Sequence, residues 1–207
     1  MDSTNKKALF REYAFEVCEN VYEPAEDSFL FAENLNADVG TQVLDVGTGT
    51  GILGILAAKS ADKVFALDIN PYAIRCAKKN AILNKVDGNI SFLQGDLFAP
   101  IAKDAKFSLI LFNAPYLPSK KAEPESWLER AWAGGKTGRV VIDRFISQAA
   151  KHLEKTGEIL LMQSNLANVE KTFGEFHKFG MKTDTVARLN LPFFETLFLL
   201  KATFKDP

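Results

Sequence analysis

The sequence predicts an α/β protein with a doubly wound, seven-stranded, mostly parallel sheet and helices on both faces. Two observations carry this prediction. From residue 41 onward, short apolar runs typical of strands alternate with runs typical of helices, as in sheets built from βαβ units. The last two strand-like runs follow each other without a helix between them, which predicts a C-terminal hairpin with an antiparallel edge strand. We predict one domain over residues 1–207.

The elements follow in order along the chain. Residues 1–40 are predicted to form a mostly helical N-terminal extension. Strands are predicted over residues 41–47, 63–69, 89–96, 106–116, 157–164, 181–189 and 194–204. Helices are predicted over residues 52–60, 70–84, 138–155 and 165–180. The clearest helix start is Asn70 followed by Pro71, since asparagine caps a helix and proline suits its first turn.

Residues 116–138 form a long polar insertion after the fourth predicted strand. Connections of this length are uncommon unless they are functional or disordered. Because the insertion leaves the carboxyl end of a strand, where α/β sheets bind ligands, we expect it on the substrate side of a site.

Composition and charge narrow the classes of function. The net charge of −1 counts against binding to nucleic-acid backbones, which usually needs a basic surface. The two cysteines, Cys18 and Cys76, make neither a disulfide framework nor a zinc cluster. The two histidines, His152 and His177, fall in predicted helices and are not expected to act as ligands or bases. No apolar run approaches the roughly 20 residues of a membrane span. We therefore expect a cytoplasmic protein without a metal site.

Glycines and polar residues follow four predicted strands, at the edge where such sheets bind ligands. The first strand leads into a turn whose glycines, Gly47, Gly49 and Gly51, let the backbone approach a ligand closely. Three other strands end in polar side chains, those of Asp68, Asp96 and Asn113. Asp68 follows Gly47 by about 20 residues, the spacing expected for an acid that binds ribose hydroxyls.

Two kinds of ligand fit a glycine turn of this type. Gly49, Gly51 and Gly54 form a GxGxxG pattern, so a dinucleotide-binding enzyme is one alternative. A pyrophosphate prefers backbone N–H groups at a helix N-terminus, and the carboxylates of Asp45 and Asp96 would oppose its charge. They suit S-adenosylmethionine, which carries an ammonium and a sulfonium. Asp45 would then face its amino-acid end, Asp68 its ribose and Asp96 its adenine.

The stretch Phe112–Tyr116, FNAPY, is predicted to bind the methyl acceptor. Pro115 favours an extended Ala114, whose carbonyl can then face the same way as the side-chain oxygen of Asn113. Two adjacent acceptors suit a planar NH₂ group, because they orient its nitrogen and stabilise the positive charge that develops on it. Tyr116 can stack on the planar group. The predicted catalytic residues are Asn113, Ala114, Pro115 and Tyr116.

Together these motifs resemble a known family. The glycine turn, Asp68 and an Asn-x-Pro-Tyr sequence are similar to class I S-adenosylmethionine-dependent N-methyltransferases, which have a Rossmann-like fold. The segments VYEPAEDSFLF (Val21–Phe31) and AWAGGKTGRVVIDRF (Ala131–Phe145) are similar to the HemK-like branch. That branch methylates N5 of the glutamine in the Gly-Gly-Gln motif of class-1 peptide chain release factors. The length resembles the short archaeal and eukaryotic form, which is typically activated by a small zinc-binding partner subunit.

The resemblance also implies cofactor contacts. Ser28 would contact the cofactor, Gly47 would line its methionine end together with Asp45, and Leu97 would contact the adenine together with Asp96. Asn113 would contact both cofactor and substrate. The cofactor-binding residues predicted in all are Ser28, Asp45, Gly47, Gly49, Gly51, Asp68, Ile69, Asp96, Leu97 and Asn113.

Three other functions share parts of this pattern. An adenine N6-methyltransferase of DNA or RNA would use the same acceptors but should present a basic groove. A protein lysine methyltransferase and a cofactor-binding module without activity are the other two. The sequence departs from the family at Ala114, where the usual motif has proline. Because the acceptor at this position is the carbonyl, we expect activity to survive.

Overall fold

The computed structural model describes residues 6–38, 40–121 and 123–205. A seven-stranded sheet runs through it in the order β5-β4-β3-β6-β7-β9-β8. Its strands are β3 (Gln42–Val46), β4 (Lys63–Asp68), β5 (Ile90–Gln94), β6 (Phe107–Asn113), β7 (Leu153–Ser164), β8 (Met181–Asn190) and β9 (Thr196–Phe204). A separate two-stranded sheet contains β1 (Lys7–Phe10) and β2 (Tyr13–Glu16). The predicted seven-stranded, mostly parallel sheet is confirmed.

The predicted antiparallel hairpin at the C-terminus is present, and its first strand forms the edge of the sheet. β9 pairs antiparallel with both β7 and β8, so it is an inner strand. β8, which precedes it in the chain, forms the edge. Since β8 is antiparallel to β9, the strand end at Asn190 shares the edge at which β6 and β7 end.

Helices pack on the sheet. They are α1 (Glu26–Glu33), α2 (Ile52–Ala57), α3 (Pro71–Leu83), α4 (Trp127–Trp132), α5 (Val140–Ala149) and α6 (Val169–Lys178). The predicted helix over 138–155 is wrong at its C-terminal end, because the chain turns after α5 and β7 begins at Leu153. His152 therefore lies in this turn, where its ring stacks on Phe98 with 4.9 Å between centroids.

The mostly helical N-terminal extension is also a wrong prediction. Its described part contains the hairpin β1–β2 and one helix, α1, while residues 1–5 and 39 lie outside the described residues. Two buried asparagines of α3 hold β2 as a neighbouring strand would. The Asn80 amide accepts from the Glu16 N–H at 2.8 Å and donates to its carbonyl at 3.0 Å, and Asn84 contacts both backbone groups of Ala14. The extended conformation depends on these distant partners.

The predicted insertion at 116–138 contains the short helix α4. The chain on either side of α4 is joined by a parallel bridge between Leu117 and Ala133. The Glu129 carboxylate accepts from the Glu125 N–H at 2.8 Å and pairs with Lys121 at 3.2 Å. These contacts fix the segment beside the carboxyl end of β6.

Strand β6 lies at the centre of the core, and the candidate site lies at its carboxyl end. Its residues Leu109–Phe112 are all buried, as expected for a parallel strand covered on both faces. β3 and β6 lie side by side in the sheet. The chain continues from β3 to β4 on one side and from β6 to β7 on the other, so the connections diverge between them. Ligands of doubly wound sheets bind outside the carboxyl ends of the strands at such a point.

Candidate active site

A cleft of about 210 Å³ opens at the carboxyl ends of β3 and β6. Eleven of the thirteen predicted site residues line it, namely Ser28, Gly47, Gly49, Asp68, Ile69, Asp96, Leu97, Asn113, Ala114, Pro115 and Tyr116. The other two, Asp45 and Gly51, are not among its lining residues. The fold therefore places around one cavity residues that were predicted from five separate segments of the sequence.

The glycine turn after β3 forms one wall of the cleft. Gly47 has a φ of +67°, and a Cβ there would lie 3.3 Å from the Phe112 ring. Gly49 also has a positive φ, and a Cβ there would meet nothing within 4 Å. Its requirement for glycine therefore comes from the backbone conformation. Gly51 instead packs against α3, with Ala77 3.0 Å from its Cβ position, which explains why it does not reach the cleft.

Asp45 lies beneath the turn rather than in the cleft. Its buried carboxylate accepts from the Thr48 hydroxyl at 2.6 Å and from the Gly54 N–H at 2.9 Å. Burial raises the pKa of Asp45 to about 7, although these two hydrogen bonds act to lower it. A Cβ at Gly54 would lie 2.9 Å from the same carboxylate oxygen. The third glycine of the GxGxxG pattern thus makes room for Asp45, and Asp45 holds the turn.

Asp68, at the end of β4, is fixed at the floor of the cleft by two backbone groups. One carboxylate oxygen accepts from the Gly49 N–H and the other from the Asn70 N–H, each at 2.9 Å. Burial raises the pKa of Asp68. Each oxygen keeps a second lone pair, so the carboxylate can also accept from a pair of neighbouring hydroxyls. This arrangement suits the ribose contact that the spacing predicted.

Asp96 lies at the rim of the cleft and is already paired. Its side chain is 45% exposed and forms an ion pair with Arg144 of α5 at 2.6 Å. Arg144 also lines the cleft, although its position within the Ala131–Phe145 segment was the only feature of the sequence that pointed to it. The adenine contact of Asp96 stays a prediction.

Asn113 lines the cleft and carries an unpaired acceptor. Its side-chain N–H₂ donates to the Asp27 carboxylate at 3.1 Å, and the Ser28 hydroxyl lies 3.4 Å away. Since a carboxylate only accepts, the amide is held with its nitrogen toward Asp27 and its oxygen away from it. That oxygen is buried and has no hydrogen-bond partner among the described residues. A buried acceptor without a partner is costly, and a bound donor would satisfy it.

Asp27, at the start of α1, also lines the cleft and was not among the predicted site residues. Besides Asn113, it accepts from the Tyr116 hydroxyl at 3.3 Å and from the Ser28 N–H at 2.6 Å. It therefore fixes the orientation of two residues of the FNAPY stretch. Burial, followed by the charge of Asp27, raises the pKa of Tyr116, so that its hydroxyl stays protonated as a donor. The signal lay in YEPAED, whose acids are equally suited to the first turn of any helix.

The glycines of the AWAGGKTGR segment support the FNAPY stretch from behind. Gly138 has a φ of +70°, and a Cβ there would lie 2.1 Å from the Tyr116 carbonyl oxygen. The Gly134 N–H donates to the Leu117 carbonyl at 2.8 Å. The FNAPY stretch and the AWAGGKTGR segment are thus one structural unit, although about 20 residues separate them in the chain. This contact explains why the sequence contains both.

Neither histidine lies at the cleft. The Nδ1 of His152 donates to the Ala105 carbonyl, with 3.0 Å between the atoms, and His177 lies 3.0 Å from the Lys205 ammonium. Within the described ranges, no group of three or more His, Cys, Asp or Glu residues could hold a metal ion. The same ranges contain no helix long and apolar enough to cross a membrane.

Comparison with known families adds to this geometry. Residues 23–129 match the family model described as the methyltransferase small domain, over just more than half of the chain. The chain belongs to this methyltransferase family.

Curated relatives of this methyltransferase narrow the resemblance. A protein of Methanocaldococcus jannaschii with the provisional name protein N5-glutamine methyltransferase is 44% identical over 181 residues, which cover 86% of this chain and 90% of that protein. The human methyltransferase HEMK2 is 33% identical over 195 residues, covering 89% and 90%. A release factor glutamine methyltransferase of Fusobacterium nucleatum is 35% identical over 115 residues, which are 53% of this chain and 32% of that longer protein. The resemblance to HemK-like methyltransferases is confirmed.

Solved structures share the fold of this methyltransferase. Mtq2 in the E. cuniculi Mtq2–Trm112 complex, which is responsible for methylation of the translation termination factor eRF1, superposes with a TM-score of 0.69 at 22% identity and covers 90% of this chain and 99% of that one. M. jannaschii Trm5 in complex with adenosine superposes with a TM-score of 0.72 at 20% identity, covering 99% and 56%. The class I methyltransferase fold is therefore confirmed.

Proposed function

We propose that the protein transfers a methyl group from S-adenosylmethionine to the side-chain nitrogen of a glutamine, in the Gly-Gly-Gln motif of a class-1 release factor. One observation carries this proposal: Asn113 lines the cleft and its side-chain oxygen is buried without a hydrogen-bond partner among the described residues, while Asp27 holds the other end of the same amide. A glutamine side chain presents the complementary group, a planar NH₂. The names of the M. jannaschii and F. nucleatum relatives support the same substrate class.

The residues of the cleft fit S-adenosylmethionine. The Asp68 carboxylate, held by two backbone N–H groups, suits the two ribose hydroxyls. Leu97 and Ile69 line the cleft beside it and supply apolar surface for the adenine. The open space beside the Gly49 backbone leaves room for a ligand to approach closely. When bound, S-adenosylmethionine supplies a methyl carbon made electrophilic by the adjoining sulfonium.

The protein's part in the transfer is to position an acceptor nitrogen and stabilise its charge. An amide nitrogen is a weak nucleophile because its lone pair is delocalised. Asn113 accepts one N–H of the substrate amide, and the Ala114 carbonyl is proposed to accept the other. With S-adenosylmethionine bound, the nitrogen would bond to the methyl carbon as the carbon–sulfur bond breaks, and S-adenosylhomocysteine would leave as a neutral thioether. Both hydrogen bonds would strengthen as the nitrogen becomes positive, which stabilises the transition state. The nitrogen then loses one proton to water, and no histidine is needed.

Tyr116 limits which groups can enter. Its hydroxyl is tied to Asp27, and its side chain is largely buried at the wall of the cleft. A ring fixed in this way favours a flat group that can stack against it. The tetrahedral ammonium of a lysine has no such flat face, which favours an amide over a lysine.

A small activator subunit is proposed as a partner, on two grounds. The sequence resembles the short form that uses one, and the structural neighbour Mtq2 was solved in complex with Trm112. We include in this proposal that the subunit binds zinc, as the partner of the short form does. We also propose that the enzyme acts in the cytoplasm, as its sequence predicts.

The deciding experiment is mass spectrometry of a purified class-1 release factor after incubation with the enzyme and isotope-labelled S-adenosylmethionine. We expect a single labelled methyl group on the glutamine of the Gly-Gly-Gln peptide. Parallel reactions contain DNA, RNA and a lysine-bearing protein such as a histone. Label in nucleic acid or on lysine, with none on glutamine, would replace this proposal by one of its alternatives.

A further inference from the structure

The turn between β8 and β9 presents two phenylalanine side chains to solvent. Phe193 is 95% exposed and Phe194 is 96% exposed. Large apolar side chains that lie almost completely outside a folded chain, side by side, are unusual and mark interaction surfaces. Leu166, which is 47% exposed, lies beside them, because the neighbouring Asn165 side chain donates to the Phe194 carbonyl at 3.1 Å. We call Leu166, Phe193 and Phe194 the aromatic tip.

The backbone at the aromatic tip does not favour the residues found there. Phe193 has a φ of +61° and Phe194 a φ of +63°, in the left-handed region that suits glycine and asparagine. Hairpin turns that need two such residues are usually built from Asn-Gly or Gly-Gly. Phe193 and Phe194 make this turn less stable than Asn-Gly or Gly-Gly would. Their side chains therefore have a role other than forming the turn.

The aromatic tip is held firmly despite this conformation. The Leu191 N–H donates to the Glu195 carbonyl at 2.8 Å and closes the turn. The Asn165 side chain bridges it to the rest of the molecule, since it donates to Phe194 and accepts from the Thr196 N–H at 2.8 Å. Rings presented by a fixed backbone lose little conformational freedom on binding a partner.

The tip projects from the same edge of the sheet as the active site. β9 lies two strands from β6 and β8 lies three, so the tip stands about 10–15 Å to the side of Asn113, at about 4.8 Å per strand. Helix α1, whose first turn holds Asp27, contacts both β8 and β9. Burial is the main reason that the pKa values of Tyr22 and Tyr116, which line the cleft, are raised, but the charge of Glu195, the residue after the tip, contributes to both. The tip therefore lies on the side of the molecule on which the cleft opens.

We propose that the aromatic tip is the docking surface for the body of the protein substrate, beside the cleft that receives its target side chain. This inference rests on the proposed function. A substrate protein that inserts one side chain at Asn113 covers the surface around the mouth of the cleft. An interface of about 800 Å² per partner, the usual size, has a radius of about 16 Å, so a footprint centred on the cleft reaches the tip. Aromatic residues that become buried in such a footprint often contribute much of its binding energy.

The test is the paired substitution Phe193→Asn and Phe194→Gly. Both new residues favour the backbone conformation of the turn, so the variant should fold at least as stably, as thermal unfolding will show. We expect KM for an intact release factor to rise by about tenfold or more, with little change in kcat. For a short peptide that carries Gly-Gly-Gln and cannot reach the tip, kcat/KM should be unchanged, as should S-adenosylmethionine binding by calorimetry.

The matched control is Leu9→Thr, which removes an apolar side chain that is 69% exposed on β1, in the separate two-stranded sheet. It should leave KM for the release factor unchanged. If the wild-type enzyme transfers no methyl group to a release factor, the proposed function fails and this inference with it.

If the wild type is active and the Phe193→Asn, Phe194→Gly variant has the same KM for the intact protein, the proposed function stands and the docking surface is wrong. An equal loss with the short peptide, a loss of binding to the activator subunit, a change in oligomeric state by light scattering or a loss of binding to phospholipid vesicles would assign the tip to another role. Each of these outcomes overturns the inference.

Discussion

The two ends of the Asn113 side-chain amide have different roles. One end of its amide donates to Asp27, and the other end is left as a buried acceptor. The residue thus stores an unsatisfied hydrogen-bonding group at the place where a substrate donor is expected. Such a group stabilises the folded chain poorly but is already oriented when the substrate arrives, which lowers the cost of reorganisation during the reaction.

The change Asn113→Ala should abolish most of the methyl transfer and leave the fold intact. The lost group is one preorganised contact to the transition state, so we expect the single-turnover rate at saturating cofactor to fall by about 10²–10³. Cofactor affinity should change little, because Asp68 is untouched. Circular dichroism serves as the folding control. A folded variant with nearly wild-type transfer would mean that FNAPY is only a turn.

Asp27 is expected to act through its two partners as a positioning residue. With Asp27→Ala, Asn113 and Tyr116 both lose the acceptor that orients them, so kcat should fall by about tenfold to a hundredfold. KM for the cofactor should stay near the wild-type value. Asp27→Asn keeps an acceptor oxygen and should restore much of the rate. Equal losses in both variants, with equal loss of thermal stability, would indicate a purely structural role.

Asp45 predicts a dependence of stability on pH. Its folded pKa of about 7 lies above its ordinary value of 3.8, so it favours the folded state when protonated. That contribution is complete below pH 3.8 and is lost as the pH rises through about 7. Relative to Asp45→Asn, the free energy of unfolding of the wild type should therefore decrease from pH 5 to pH 7, by at most about 1.4 kcal/mol per pH unit for one proton. Urea unfolding at several pH values measures this. A difference that does not vary with pH would contradict it.

At the scale of elements, the site is assembled by segments that touch only in the folded chain. The first turn of α1 reaches the end of β6 through Asp27, and the segment before α5 supports the Tyr116 carbonyl through Gly138. The hairpin β1–β2 is fixed on α3 by Asn80 and Asn84. Each of these contacts includes a polar side chain or a glycine in addition to any apolar packing, so each depends on a specific local geometry.

Gly138→Ala should damage the active site from outside the cleft. The added Cβ would lie 2.1 Å from the Tyr116 carbonyl oxygen, and its φ of +70° is also unfavourable for alanine. We expect a destabilisation of about 1–3 kcal/mol and a large loss of transfer, measured by thermal unfolding and single-turnover assays. Gly174→Ala in α6, where a Cβ meets nothing within 4 Å, is the control and should be neutral or stabilising. Similar behaviour of the two variants would contradict this account.

At the scale of the whole molecule, the chain combines a near-neutral charge with a strongly apolar composition that includes 17 phenylalanines. Most are needed for the core, but other apolar side chains outside the aromatic tip, such as Leu9 and Ile82, place apolar surface in water. A net charge near zero gives little repulsion between copies. A partner that covers part of this surface would therefore improve solubility.

Co-expression with a small activator subunit is expected to raise soluble yield and specific activity of this methyltransferase, because bound apolar surface no longer drives aggregation. The measurement compares the enzyme expressed alone and with the subunit, by size-exclusion chromatography and by methylation of a release factor. A matched co-expression with an unrelated small zinc protein is the control. A monodisperse, fully active enzyme without the subunit would show that this family trait does not extend to the chain.

The sequence by itself determined the sheet, the glycine turn and the identity of most residues around the cleft. These are local signals: alternating apolar runs, glycines at positions of positive φ, and polar residues at the ends of strands. Because parallel strands end at one edge, a list of strand ends already predicted which side chains would meet. Asp68 and Asn113 were found in this way.

Only the tertiary structure decided which groups these residues face. Asp45 is turned under the glycine turn by Thr48 and Gly54, and Asp96 is paired with Arg144. Strand β2 is extended because Asn80 in α3 and Asn84 at its C-terminal end bond to its backbone. Hydrogen bonds between segments distant in the chain leave no periodicity in the sequence. The same reason hid Asp27, whose carboxylate is ordinary at a helix start and gains its role only where β6 ends beside it.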